Sequence, residues 1–131
     1  MAARRIIRNI SILDLVHYRL PVPGVLSILH RISGVLMFIL LPLCLWLFEL
    51  SLRSELSYRQ LRAVADGWFV KIVLAALAWA LAHHLLAGIR YLLLDLDLGV
   101  ERAAARRSAW TVFALSVPLA AWFASVIFGV L

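Results

Sequence analysis

Charged residues are scarce in this sequence, and so are the cysteines that would cross-link a small secreted domain. Only 15% of the 131 residues are charged, whereas 65% are hydrophobic and the mean hydropathy is +0.99. Because ordinary soluble domains are only about half apolar, this composition excludes that class and favours a protein that lies in a lipid bilayer. The single cysteine, Cys44, has no intramolecular partner, which excludes a disulfide-stabilised scaffold.

Long stretches without charge indicate where the chain crosses the membrane. No charged residue lies between Arg31 and Glu49, and a second long apolar stretch separates Lys71 from Arg90. A third uncharged stretch covers residues 108–131. Because about 20 apolar residues span the hydrocarbon core, each stretch is long enough for one helix. The sequence therefore predicts an all-α integral membrane protein with three transmembrane helices, at about residues 28–52, 67–90 and 108–131.

Prolines divide the chain further. Pro21, Pro23 and Gly24 form a breaker, so we expect residues 1–24 to be a polar N-terminal arm and residues 25–131 to be a transmembrane anchor domain. Pro42 and Pro118 fall within predicted spans. Membrane helices tolerate proline because neighbouring groups satisfy the freed carbonyls.

The net charge of +6 comes from basic residues that lie between the apolar stretches, not in one patch. This distribution argues against nucleic-acid binding and is typical of topology signals. Nine of the thirteen basic residues lie at the end of the bundle formed by the arm, the start of span one and the connection between spans two and three, which share one face of the membrane. The bias predicts a cytoplasmic (or matrix) N-terminus. The nine are Arg4, Arg5, Arg8, Arg19, Arg31, Arg90, Arg102, Arg106 and Arg107, and the other four are Arg53, Arg59, Arg62 and Lys71.

Polar side chains at membrane depth are costly and mark candidate functional sites. Ser27, His30 and Arg31 lie at the cytoplasmic end of the first span, and His83 and His84 lie towards the same end of the antiparallel second span. Ser27 and Arg31 are four residues apart, so they project from one helix side and offer a hydroxyl and a forked cation to a quinone carbonyl or a carboxylate. The alternative is a helix-capping serine and an arginine that extends to the lipid headgroups.

Adjacent histidines point about 100° apart on a helix, so His83 and His84 cannot both face one ligand. His84 has small neighbours at Ala80 and Gly88, which leave room for a flat macrocycle or a close helix, whereas Trp79 flanks His83. We expect one of the two to be an ordinary hydrogen-bonded histidine. Haem ligation by the other would require a second axial ligand from elsewhere.

Two motifs carry a family resemblance. Residues 27–34, Ser-Ile-Leu-His-Arg-Ile-Ser-Gly, resemble the S-x-x-H-R-x-S-G signature of the cytochrome b556 subunits of succinate dehydrogenase. Residues 84–95 resemble the H-x3-G-[aliphatic]-R-[aromatic or His]-x3-D pattern of that family. The resemblance extends to the N-terminal stretches Leu13-Asp14-Leu15 and Leu20-Pro21-x-Pro23-Gly24, and to Ala-Arg-x-Ser-Ala-Trp before the third span; Arg8-Asn9 departs from the usual Arg-Pro.

The resemblance implies half of a two-subunit helical anchor bundle in a complex with an iron-sulfur subunit and an FAD flavoprotein subunit. It implies that His84 is an axial ligand of haem b, with the second ligand from the partner anchor subunit. Ser27 and Arg31 would line the ubiquinone pocket, and His30 would lie with Arg31 near the haem propionates. Asp95 would be a neighbour of the quinone site. No residue of this chain would oxidise succinate.

The resulting expectation is a multi-pass subunit of the bacterial inner membrane that passes electrons from the iron-sulfur subunit to ubiquinone, in the tricarboxylic acid cycle and respiratory chain. Within the family, an anchor of a fumarate reductase is an alternative. A haem-free structural anchor is another. A small transporter is disfavoured, because neither repeat symmetry nor paired intramembrane carboxylates occur.

Overall fold

The computed structural model describes residues 20–130, and the helices in this part of the chain confirm the predicted all-α class. Three of its helices are long and apolar enough to cross a membrane, as the uncharged stretches predicted. A shorter helix connects the first two of these. In chain order the helices are α1 (Val22–Arg53), α2 (Glu55–Ala65), α3 (Trp68–Asp95) and α4 (Arg102–Phe128). Apart from its last residues, the polar arm, with its Leu13-Asp14-Leu15 stretch, lies outside the described residues.

Helix α1 begins earlier than the hydrophobic stretch suggested. Pro21 is its N-cap residue and Pro23 lies in its first turn, where a missing backbone N–H costs nothing. Ser27 and Arg31 are therefore inside a continuous helix. It follows that Ser27 does not cap the helix start.

Helix α2 was not predicted. Ser54 and Ser57 form a capping box: the N–H of each donates to the side-chain hydroxyl of the other, at 3.1 Å in both cases. An exposed ion pair joins Arg59 to Glu55 one turn away. The α2 helix thus occupies the connection between the first two long helices with a polar, solvent-compatible surface.

Helix α3 is central, with α4 packed along most of it and α1 packed against its C-terminal half. The buried core lies where α1 begins, α3 ends and α4 begins, and consists of Leu26, Ala87, Ala109 and Val112. Small residues here let the helices approach closely. Many apolar side chains elsewhere are exposed, so the surface suits lipid or partner helices.

The guanidinium of Arg90 joins α3 to α4 beside this core. Its Nε–H donates to the hydroxyl of Ser108 at 2.9 Å, and its Nη2 donates to the carbonyl of Ala105 at 3.0 Å. Arg90 is only 6% exposed and lies 5.3 Å from the ring centroid of Tyr91. This arginine, which the sequence suggested as a topology signal, is also an interhelical hydrogen-bond donor.

Candidate functional site

The two sequence motifs meet where α1 crosses α3. The rings of His30 on α1 and His84 on α3 stack with centroids 4.1 Å apart and planes 12° from parallel. The ring of Tyr91, two turns after His84, is tilted relative to the ring of His30, and their centroids are 5.0 Å apart. Of the polar residues predicted to converge at this end of the bundle, the structure brings His30 and His84 into direct contact.

Two glycines make this close approach possible. A Cβ atom at position 34 would lie 2.8 Å from Cε1 of His84, closer than real Cβ contacts allow. A Cβ atom at position 88 would lie 3.7 Å from Nε2 of His30. Each histidine thus lies over a glycine of the opposite helix, and the contact with Gly34 is the tighter of the two.

The Nδ1 atom of His84 lies between two oxygen atoms of α1. It is 3.1 Å from the backbone carbonyl oxygen of His30 and 3.2 Å from Oγ of Ser33. The Ser33 hydroxyl in turn donates to the same His30 carbonyl at 2.9 Å. Ser33 is fully buried, so its hydroxyl has no competing solvent contact.

These distances determine which nitrogen of His84 carries the proton. A carbonyl oxygen only accepts hydrogen bonds, so Nδ1 must be the donor to His30. A bare Nδ1 would place its lone pair against the carbonyl lone pairs, which is repulsive. The neutral ring therefore has its proton on Nδ1 and a free lone pair on Nε2. Nε2 has no hydrogen-bond partner among residues 20–130, and His84 is partly exposed.

His83 faces α4 and differs from its neighbour in every contact. It is fully buried, with ring centroids 5.4 Å from Trp79 and 5.7 Å from Phe113. Neither ring nitrogen meets full hydrogen-bond geometry within the described part of the chain, although the backbone of Leu26 lies close to the ring. His83 thus packs between aromatic rings inside this chain's own bundle, and the expectation that one of the two histidines is an ordinary hydrogen-bonded one stays a prediction.

Ser27 and Arg31 lie beside this histidine pair on α1. Successive helix residues differ by about 100°, so Arg31 projects away from the α3-facing direction of His30. Arg31 is exposed and Ser27 is half-buried, and neither makes a hydrogen bond or ion pair with another residue in 20–130. Asp95 is exposed at the end of α3 and is not brought to the histidine pair by any contact described here.

Two buried polar atoms lie next to the stacked rings without a partner in the described residues. They are Nε2 of His30 and the hydroxyl of Tyr91. Buried polar groups are nearly always hydrogen-bonded, so these two atoms are exceptions within residues 20–130.

Ser33 and Gly34 contribute to this site although the sequence suggested no role for them. Both belong to the first motif. Ser33 lies three residues after His30 and Gly34 lies four residues after it, and residues at these spacings share one helix face. That spacing was the available signal. It did not show that this face is the one turned towards His84.

Comparison with known proteins gives consistent matches along most of the sequence. Residues 6–123 match the family described as "Succinate dehydrogenase/Fumarate reductase transmembrane subunit". The succinate dehydrogenase cytochrome b556 subunit of Coxiella burnetii is 37% identical over 106 residues, which cover 79% of this chain and 84% of that protein.

Two further relatives carry the same name. The protein from Paracoccus denitrificans is 35% identical over 103 residues, covering 79% of each chain. That from Rickettsia felis is 34% identical over 102 residues, covering 78% of this chain and 79% of its own length. The family match at residues 6–123 includes both motifs, α1 and α3 in full and most of α4.

Proposed function

Since the chain belongs to the family of succinate dehydrogenase and fumarate reductase transmembrane subunits, we propose that it is the cytochrome b anchor of a succinate:quinone oxidoreductase. In this proposal it binds haem b together with a second anchor subunit and forms part of a ubiquinone-reduction site. Succinate oxidation belongs to the FAD subunit, and an iron-sulfur subunit delivers the electrons.

The assignment of His84 as a haem ligand rests on one observation. The carbonyl of His30 accepts the Nδ1 proton of His84, which leaves the Nε2 lone pair free to bind a metal. His84 is partly exposed, whereas His83 is enclosed between rings of its own chain. Residues 20–130 contain no cluster of three metal-ligating side chains, and axial ligation of haem iron requires only one histidine from each anchor.

When bound, the haem supplies a one-electron redox centre beside the quinone. His30 is the proposed neighbour of a haem propionate, and a hydrogen bond from its buried Nε2 would require the stacked rings to shift. Arg31, one residue along, supplies a cation at the same end of the helix. These groups offset carboxylate charge that would otherwise be costly at membrane depth.

Ser27 and Arg31 are the proposed quinone ligands. The guanidinium of Arg31 polarises a quinone carbonyl oxygen and stabilises the negative charge that develops there as electrons arrive. The Ser27 hydroxyl donates a hydrogen bond to the same carbonyl. Two electrons and two protons convert the quinone to quinol. Asp95, exposed at the end of α3, is the proposed neighbour of this site.

The proposed location is the bacterial inner membrane with the N-terminus in the cytoplasm. The basic residues in 90–107 and in the arm support this orientation through the positive-inside rule. It places Ser27 and Arg31 near the membrane face where the soluble iron-sulfur and flavoprotein subunits would dock.

Purification of the native complex through a tag on this chain tests the proposal. The expected preparation contains a second small membrane subunit and the two soluble subunits, shows a Soret band and yields ubiquinone on extraction. A complete complex without a Soret band would instead support a haem-free structural anchor. Extraction of menaquinone alone, with faster fumarate reduction than succinate oxidation, would support the fumarate reductase alternative.

A further inference from the structure

We propose that Ser33 is a positioning residue for the His84 imidazole, whose hydroxyl sets how strongly Nε2 of His84 binds the haem iron. The proposal rests on the proposed function, in which His84 is an axial ligand. Ser33 contacts neither haem nor quinone in this account. It acts through Nδ1 of His84, 3.2 Å from its Oγ.

The three polar atoms around Nδ1 form one consistent arrangement. The Ser33 hydroxyl hydrogen points to the His30 carbonyl oxygen at 2.9 Å, so the lone pairs of Oγ remain available. The Nδ1 proton of His84 is shared between that carbonyl at 3.1 Å and Oγ at 3.2 Å. Because Ser33 is fully buried, water does not compete for these bonds.

Gly34, the next residue, defines the position of the same ring from another side. The 2.8 Å distance from a built Cβ to Cε1 of His84 means that any larger residue would displace the imidazole. The His30 carbonyl therefore fixes the tautomer, and Ser33 and Gly34 together fix the placement of the ring. Outer groups of this kind orient a ligating histidine and raise its basicity.

The hydrogen bonds to Nδ1 of His84 should affect the midpoint potential of the haem. An imidazole whose Nδ1–H donates to two oxygens is a more basic ligand and favours the oxidised iron, which has the higher charge. Ser33→Ala leaves the His30 carbonyl as the only acceptor, so the tautomer persists and the ligand weakens. The midpoint potential of the haem should then rise.

One hydrogen bond is worth about a fivefold change in an equilibrium constant. For a one-electron couple this corresponds to about 40 mV, at 59 mV per tenfold change. A shift of that size is readily measured by redox titration of the purified complex.

The chain offers a matched control for this substitution. Ser116 on α4 is also a fully buried serine, and its hydroxyl has no partner among the described residues. Ser116→Ala removes the same atoms from an equally buried position without touching His84. Any general effect of losing a buried hydroxyl should appear in both variants.

The experiment compares Ser33→Ala, Ser33→Thr and Ser116→Ala in the intact complex by redox titration and low-temperature electron paramagnetic resonance of the ferric haem. We expect a raised potential and altered g-values for Ser33→Ala, and wild-type values for Ser116→Ala and for Ser33→Thr, which keeps the hydroxyl. If Ser33→Ala does not assemble, Ser33→Cys, with its weaker hydrogen bonds, should shift the potential in the same direction.

Equal potentials and g-values in Ser33→Ala, Ser116→Ala and the wild type would overturn the proposal. His84→Leu, measured alongside, separates this failure from that of the proposed function. If His84→Leu removes or shifts the haem band while Ser33→Ala has no effect, only the role of Ser33 is wrong. If His84→Leu leaves the band untouched, both are wrong.

Discussion

Gly34 on α1 and His84 on α3 are in direct contact, and position 34 has no room for even a methyl group against the imidazole. A Cβ atom there would lie 2.8 Å from Cε1 of His84. The reciprocal contact, His30 over Gly88, is looser at 3.7 Å. The asymmetry between the two glycines provides a test of how the histidine pair is held.

We expect Gly34→Ala to displace His84 and to weaken haem retention about tenfold or shift the haem spectrum, since outer-shell changes at metal sites have effects of this order. Gly88→Ala is the matched control, because its methyl group would make an ordinary van der Waals contact with His30. The haem-to-protein ratio and absorption spectrum of each purified complex provide the comparison. Equal haem content and spectra in the two variants would contradict the contact described here.

Ser27→Ala and Arg31→Leu should impair ubiquinone reduction but spare succinate oxidation by an artificial soluble acceptor. Loss of one hydroxyl hydrogen bond costs about 1 to 3 kcal/mol of transition-state stabilisation, or roughly five- to a hundredfold in rate, and loss of the cation should cost at least as much. Arg53→Leu, at the opposite end of α1, is the control. Wild-type quinone reduction in both assembled variants would mean that the quinone site is elsewhere.

Arg90→Ala should destabilise the bundle, because it leaves the Ser108 hydroxyl and the Ala105 carbonyl without their α3 partner. Loss of two hydrogen bonds from a buried cation costs about 2 to 4 kcal/mol, and we expect the melting temperature of the solubilised complex to fall by about 5 °C or more. Arg53→Ala removes an exposed ion pair with Glu49 and should change it little. Similar melting temperatures for the two variants would contradict the structural role of Arg90.

The sequence contained most of the information about the long helices and only part of the information about the site. Charge-free runs predicted three spans, because burying a charge in hydrocarbon is costly whichever way the helix is rotated. The α2 helix has no such run, and its start depends on a local capping box between Ser54 and Ser57 that hydropathy does not register.

Helix rotation explains what was missed at the site. The motifs placed His30 and His84 at one end of the bundle, but the ring contact depends on which faces of α1 and α3 meet, and side-chain packing determines this. The same rotation turns His83 towards Phe113, between aromatic rings of its own chain. Likewise, the second motif contained Arg90, but the sequence did not show that its guanidinium would bond to α4.

Orientation in the membrane can be tested by cysteine labelling in a Cys44→Ala background. With a cytoplasmic N-terminus, Arg102→Cys should react with an impermeant thiol reagent only after the cells are permeabilised. Arg59→Cys, on α2 across the membrane, should react in intact cells. Labelling of Arg102→Cys from outside would overturn the topology and separate Ser27 and Arg31 from a cytoplasmic iron-sulfur subunit.

The most direct test of the central claim, that His84 and not His83 ligates a b-type haem, is the reduced-minus-oxidised spectrum of the two leucine variants in the assembled complex. We expect His84→Leu to remove or shift the haem band, because of the two histidines only His84 has a free Nε2 lone pair on a partly exposed ring. His83→Leu should leave the band unchanged. The opposite pattern, with the band altered in His83→Leu and untouched in His84→Leu, would contradict the account.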